Sequence, residues 1–206
     1  MQILATEDIS DELLQTLCSG LQNDFGEVTD DGRYSFKSTD APSWIRLVAE
    51  ADFWMQMLAA GGALYVAEIV KEAAKESWKS RAKIVASAVK TGGEIKKLAL
   101  AIASFKRAAR EETQVVIALP QPHEYFGTQL HLTAVDPDIL ELELALFAHY
   151  LPAVTALIKT NEENGRGAAT GYFLALVEDG SLNVFWFDHE SLKKMENIIS
   201  IAHGAI

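Results

Sequence analysis

Apolar residues recur at helical spacing over Leu13, Leu14, Leu17, Cys18, Leu21 and Phe25, the pattern of a helix that buries one face. Ser10 stands where an N-cap would, Ile9 and Leu14 are spaced as a hydrophobic staple around it, and Gly26 supplies a stop. A short apolar run over residues 1–5 precedes this helix. After it, Asp31-Gly32 marks a turn and residues 33–37 a short strand, so residues 1–39 read as a strand, helix, strand start.

A long helical segment, residues 40–112, is predicted next. Asp40 and Pro42 carry the signature of a helix start, and no further proline interrupts the chain up to about residue 90. One straight rod from Pro42 to about residue 90 would measure about 73 Å at 1.5 Å per residue. A compact chain of this size has a radius of gyration of only about 17 Å. Either the helix breaks at Gly61-Gly62, or the small residues Ala59 to Ala63 admit a second helix at close range, and the pattern leaves both open. Residues 53–70 are apolar enough to raise a membrane span, but Gln56 and Glu68 interrupt them and favour a buried helix. Lys71, Lys75, Lys79 and Lys83 then form a basic stripe opposite Ala74, Trp78, Ala82, Val85 and Val89. Gly92-Gly93 ends that helix, and Ile95, Leu98, Ala99, Ile102, Phe105 and Ala109 stripe another over residues 93–111.

Beyond Thr113 the period changes. Residues 114–119 are a continuous apolar run, and residues 128–134 alternate, with Gln129, His131 and Thr133 on the polar side. Asp136-Pro137-Asp138 starts a helix; cap, proline and acidic first turn together outweigh the strand-like alternation of Leu140, Glu141, Leu142, Glu143 and Leu144. Residues 144–158 are apolar nearly all round, with Pro152 expected to kink the helix. Two strands, residues 171–178 and 181–187, flank the turn Asp179-Gly180, and both of their faces are hydrophobic, so they should be central. Asp188 is predicted to cap a last helix with the stripe Leu192, Met195, Ile199 and Ala202. Residues 113–206 therefore read as strand-pair and helix units.

The fold class that follows is α+β: a mostly antiparallel sheet of about six strands, a long helical middle, and helices packed on the sheet. Residues 1–206 are expected to fold as a single cooperative unit, because 1–39 is too short to bury a core alone.

Composition adds three points. With 206 residues, 49% hydrophobic and 23% charged, the chain is neither disordered nor low in complexity. One cysteine cannot close an intramolecular disulfide, and the first residues lack a secretory signal, so a cytoplasmic location is expected. The net charge of −11 is segregated: from Lys71 to Arg110 eleven basic residues face three acidic ones, a local balance of +8 that leaves −19 elsewhere. That distribution disfavours nucleic acid and fits basic helices that neutralise acidic surface in the same chain or a neighbouring copy.

Candidate chemistry is sparse. His123 and Glu124 in the loop after Pro120, with His131 on the next strand, could act as acid and base or approach a metal, but their spacing matches no metal motif, and neither metal nor cofactor is assigned. Asp188-His189 lies at a strand end that can face a pocket, a position helix capping explains equally well. His149, in the apolar helix, is expected to be a buried neutral ring, and Cys18 a small core residue. Gly92-Gly93 and Gly165-Arg166-Gly167 lack the context of a phosphate loop. Activity and ligand stay undetermined at this level, and whether the chain is an enzyme stays open. The preferred expectation is a non-catalytic interaction protein that self-associates through its apolar helix, with Gly61, Gly62, Lys71, Lys75, Lys79 and Lys83 as interaction residues and a protein partner as the ligand class. The alternatives are a hydrolase-like enzyme, with or without metal assistance, with a site near His123, Glu124 and His131, and a peripheral membrane protein that lays its basic helix, residues 71–83, on anionic lipid.

Overall fold

The computed structural model describes residues 1–34, 43–49, 93–109, 113–119, 127–178 and 180–200. Among the described residues eight strands form one mixed sheet: β1 (Gln2–Thr6), β2 (Thr29–Tyr34), β3 (Trp44–Val48), β4 (Gln114–Leu119), β5 (Gly127–Leu132), β6 (Tyr172–Glu178), β7 (Ser181–Phe187) and β8 (Lys194–Ile199). Their spatial order is β2-β1-β3-β4-β5-β6-β7-β8. Among the described residues three helices accompany them: α1 (Asp11–Phe25), α2 (Gly93–Ala108) and α3 (Pro137–Glu163). The class is α+β, but the sheet is mixed where a mostly antiparallel one was predicted. β1 with β2, β3 with β4, and β5 with β6 run parallel, and the other neighbours antiparallel. The reason is connectivity. A parallel neighbour needs a long crossover, and each parallel pair is joined by a connection that contains a helix: α1, α2 and α3 in turn.

Two strands stand where helix was expected. Residues 44–48, placed by the Asp40 and Pro42 signal inside a helix, are β3: Ile45 and Leu47 alternate with Trp44, Arg46 and Val48, and pairing to β1 and β4 on either side outweighs the start signal upstream. Residues 194–199 are β8 rather than the last helix. Asp188 does accept hydrogen bonds from the backbone N–H and the hydroxyl of Ser191, both at 2.8 Å, as a cap would. Leu192 then takes φ 54°, and the chain turns back to pair with β7 instead of continuing a helix. Near the N-terminus, Asp31-Gly32 lies inside β2. The register with β1 skips Asp31, and Gly32 takes φ 135°, which is a bulge and not the predicted turn.

The remaining elements follow the pattern. Ser10 accepts from the Leu13 N–H at 3.3 Å and Gly26 closes α1 at φ 79°. Asp136 caps α3 through the N–H groups of Asp138 and Ile139, and the helix continues through the exposed Pro152. Side chains of α1, α2 and α3 cover one face of the sheet, which presents Ile3, Ala5, Ile45, Leu47, Ile117, Leu130, Ala175 and Val184, all essentially buried. α3 is long and apolar enough to cross a membrane, yet 61% of its most apolar window is buried inside the protein.

The opposite, outer face differs. A transverse row runs from Arg46 through Val116, His131, Leu176 and Asn183 to Ile198. These side chains are mostly half-buried, and in the adjacent row Gln129 is only 6% exposed. The polar side of residues 128–134 is therefore not the plain solvent face that its alternation suggests.

Candidate functional site

The candidate site lies where the start of β4, the end of β5 and the last turn of α2 meet. The Lys106 stem reaches from α2 over the sheet, and its Nζ donates to the Leu132 carbonyl at 2.7 Å. The amine is more than half removed from water, and burial pulls its pKa below 10.5, with Glu143 acting in the opposite direction. A cleft of about 410 Å³ opens beside it, lined on its polar side by Lys106, Thr113, His131 and Thr133, and on its apolar side by Val115, Leu176 and Phe185.

Two lining groups have buried polar atoms with no hydrogen-bond partner among the described residues. They are Thr113 Oγ1, on a residue only 5% exposed, and His131 Nε2. Burial lowers the His131 pKa, and the positive charge of Arg46 in the same row lowers it further, so both favour the neutral ring. Such atoms are rare in folded interiors, because a buried polar group without a partner costs about 1–3 kcal/mol.

Behind the cleft wall, Glu143 of α3 is only 3% exposed. Its Oε1 accepts from the Thr133 hydroxyl at 2.7 Å, and the backbone N–H groups of Ala134 and Thr133 also favour its charged form; its Oε2 has no partner among the described residues. Burial outweighs these bonds and raises its pKa above the ordinary 4.5. The sign of the pH effect follows. The folded chain holds a proton that the unfolded chain has lost, so this group's contribution to stability is full below the unfolded pKa and is lost as pH rises through the raised folded one. Glu143→Gln keeps an oxygen for Thr133 and should remove that slope. In urea unfolding, the variant should gain on the wild type as pH rises from about 4 to about 8, and a constant difference over that range would mean that Glu143 is not desolvated.

Of the residues singled out in the sequence, His131 is in the cleft wall. His123 and Glu124 lie outside the described residues, as do Gly61, Gly62, Lys71, Lys75, Lys79 and Lys83. Asp188 and His189 stand in the turn between β7 and β8. The bonds from Ser191 hold the Asp188 carboxyl below its usual range, and the exposed His189 reaches Glu190 at 4.0 Å. Neither Asp188 nor His189 lines the cleft. His149 is exposed rather than buried, because its position on α3 points away from the sheet; its ring stands edge-on to Tyr150, with 5.1 Å between centroids. Partial burial still draws its pKa below 6.5. Cys18 is half-buried against the core, and burial raises its thiol pKa, the opposite of an activated nucleophile.

Sequence reasoning missed Lys106, Thr113, Glu143 and Arg46. Glu143 carried a signal, a carboxylate within an otherwise apolar helix, and so did Lys106, a cation one position after Phe105 on the apolar stripe of α2. Among the described residues, no group of three or more His, Cys, Asp or Glu side chains is placed to hold a metal ion. Comparison with protein-family models, curated proteins and solved structures finds no match to this chain, so the reading of the cleft rests on its own residues.

Proposed function

We propose that this chain binds a small organic molecule in the Lys106 cleft, one with a carboxylate or similar acceptor group at one end and an apolar body at the other. The observation that carries the reading is the pair of buried, unpartnered groups, Thr113 Oγ1 and His131 Nε2, in the wall of a cleft that also contains a desolvated lysine. A hydroxyl can donate, the neutral imidazole can donate or accept, and the ammonium supplies charge, while Leu176 and Phe185 offer an apolar floor. A cleft of about 410 Å³ falls in the size range of small-ligand sites. The reading keeps His131 from the enzyme alternative but asks for no reaction. The self-association and membrane readings rest on residues outside those described.

A ligand-observed NMR screen of small carboxylic acids with aliphatic and aromatic tails tests it. At least one acid should bind wild-type protein with a Kd of about 1 mM or tighter. Lys106→Met should weaken it by roughly tenfold or more, the scale of one charge-assisted hydrogen bond, and Thr113→Val by less. Binding that neither substitution changes, or no saturable binding by any acid, would overturn the reading.

A further inference from the structure

Arg46 stands on the outer face of β3, where the row continues to Val116, His131, Leu176 and Asn183. Its guanidinium carbon lies 5.0 Å from the centroid of the Trp44 ring and 5.4 Å from that of Tyr172. Two aromatic neighbours fix the position of the group, and the face of each ring attracts a cation. They do nothing for the N–H edge of the guanidinium, whose five donors need acceptors. Arg46 is half-buried, its Nε is fully enclosed, and that atom has no hydrogen-bond partner among the described residues.

Nor does a carboxylate among the described residues balance the charge. Ion pairs among the described residues involve Arg33, Lys97, Lys159, His189 and Lys194, and none includes Arg46. Arg33, for comparison, is held by both Asp11 and Asp30. Two positions beyond His131 along the row, Asn183 Oδ1 is likewise buried without a partner among the described residues, so unsatisfied polar atoms recur at Arg46, His131 and Asn183 across one line of the sheet. Successive members stand two strands apart, roughly 10 Å at the usual inter-strand spacing. A cation held in place by rings, enclosed at Nε and without a counter-ion among the described residues is the arrangement that receives an anion.

We propose that Arg46 is an oxyanion-binding residue, which Trp44 and Tyr172 hold in place so that it presents its N–H edge to the carboxylate or phosphoryl group of a small ligand on the outer face of the sheet. The proposal uses neither Lys106 nor Thr113, but His131 also lines the cleft, so the Arg46 Nε–H signal, and not the imidazole alone, separates it from the cleft reading. His131 reports on it. The ring now feels the Arg46 charge, and an anion seated on the guanidinium offsets that charge and raises the imidazole pKa, by roughly half a unit for a charge about 10 Å away in a partly aqueous setting.

The test is an NMR titration at constant ionic strength, with inorganic phosphate in one arm, acetate in another and sodium chloride as the reference. The expected result is a saturable, millimolar shift of the Arg46 Nε–H signal in at least one oxyanion arm, with a parallel rise in the His131 pKa. Phosphate alone would assign a phosphoryl ligand, and acetate, alone or beside phosphate, a carboxylate. Arg46→Lys retains the charge but loses the planar fork and should bind about tenfold more weakly; Arg46→Gln should show no saturation. Saturation that persists in Arg46→Gln overturns the proposal. If that variant does not fold, the wild-type protein decides alone: a His131 pKa that is the same in phosphate, acetate and chloride overturns it.

Discussion

Phe173→Ala is expected to destabilise the protein by about 3–5 kcal/mol, which for a chain of this length lowers Tm by roughly 10 °C. The ring is fully buried on the helix-covered face of β6, in register with Thr128, and it meets Trp186 of β7 at 4.8 Å between centroids with a 42° tilt. Truncation removes the ring's transfer energy and leaves a cavity that its surroundings cannot close. β6 is paired on both sides, and α3 above it is held at its capped start by Asp136 and near its middle by the Tyr150 hydroxyl, which donates to the Gly180 carbonyl at 3.3 Å. Phe187→Ala makes the control, because that ring lies at the end of the neighbouring strand but is exposed, and its loss should change stability by no more than about 0.5 kcal/mol. Urea unfolding of both variants checks the pair, and similar losses would mean that β6 is not packed under the helices.

Gly127→Ala should cost about 1–3 kcal/mol, although it adds a single methyl. A Cβ at this position would lie 2.6 Å from the Leu119 carbonyl oxygen and 2.8 Å from Cε1 of Tyr172. The oxygen belongs to backbone paired in the β4–β5 ladder, and the Gly127 N–H is itself held by the Gly171 carbonyl at 3.0 Å, so neither side can easily yield. The consequence reaches the outer face, since Tyr172 can move aside only by leaving Arg46. Gly127→Ala should therefore weaken oxyanion binding at Arg46 as well as the fold. Gly20→Ala in α1, where nothing lies within 4 Å of the added methyl, should instead stabilise by up to about 1 kcal/mol. Thermal unfolding of the two variants is the measurement, and shifts of the same sign would sink the steric argument.

The legible parts of the fold were those where local chemistry and burial agree. The stripe of α1, its Ser10 cap, the Asp136-Pro137 start of α3 and the hairpin around Gly180 each carry several short-range signals that point the same way. β3 and β8 were not legible, because their strand state depends on neighbours. Trp44 to Val48 joins the sheet between β1 and β4, partners far from it in sequence, and Lys194 to Ile199 borrows the free edge of β7. The period of a helix and that of a strand are hard to tell apart over so few residues. The parallel pairs were hidden for a related reason: each depends on which strand a chain meets after crossing a helix, and no local pattern encodes that.

Alternation and capping, both short-range properties, were sufficient to determine most of the secondary structure of the described residues, the helix-covered core and the α+β class. Only tertiary structure decided the mixed sheet and the candidate sites, because these depend on what lies beside a residue in space. Lys106 counts as desolvated, Glu143 as a buried acid, and Arg46 as a cation without a counter-ion among the described residues only once α2, α3 and β3 are laid against the sheet. A charge on an amphipathic pattern reads as solvated, and it becomes chemistry where packing removes the water and supplies too few partners.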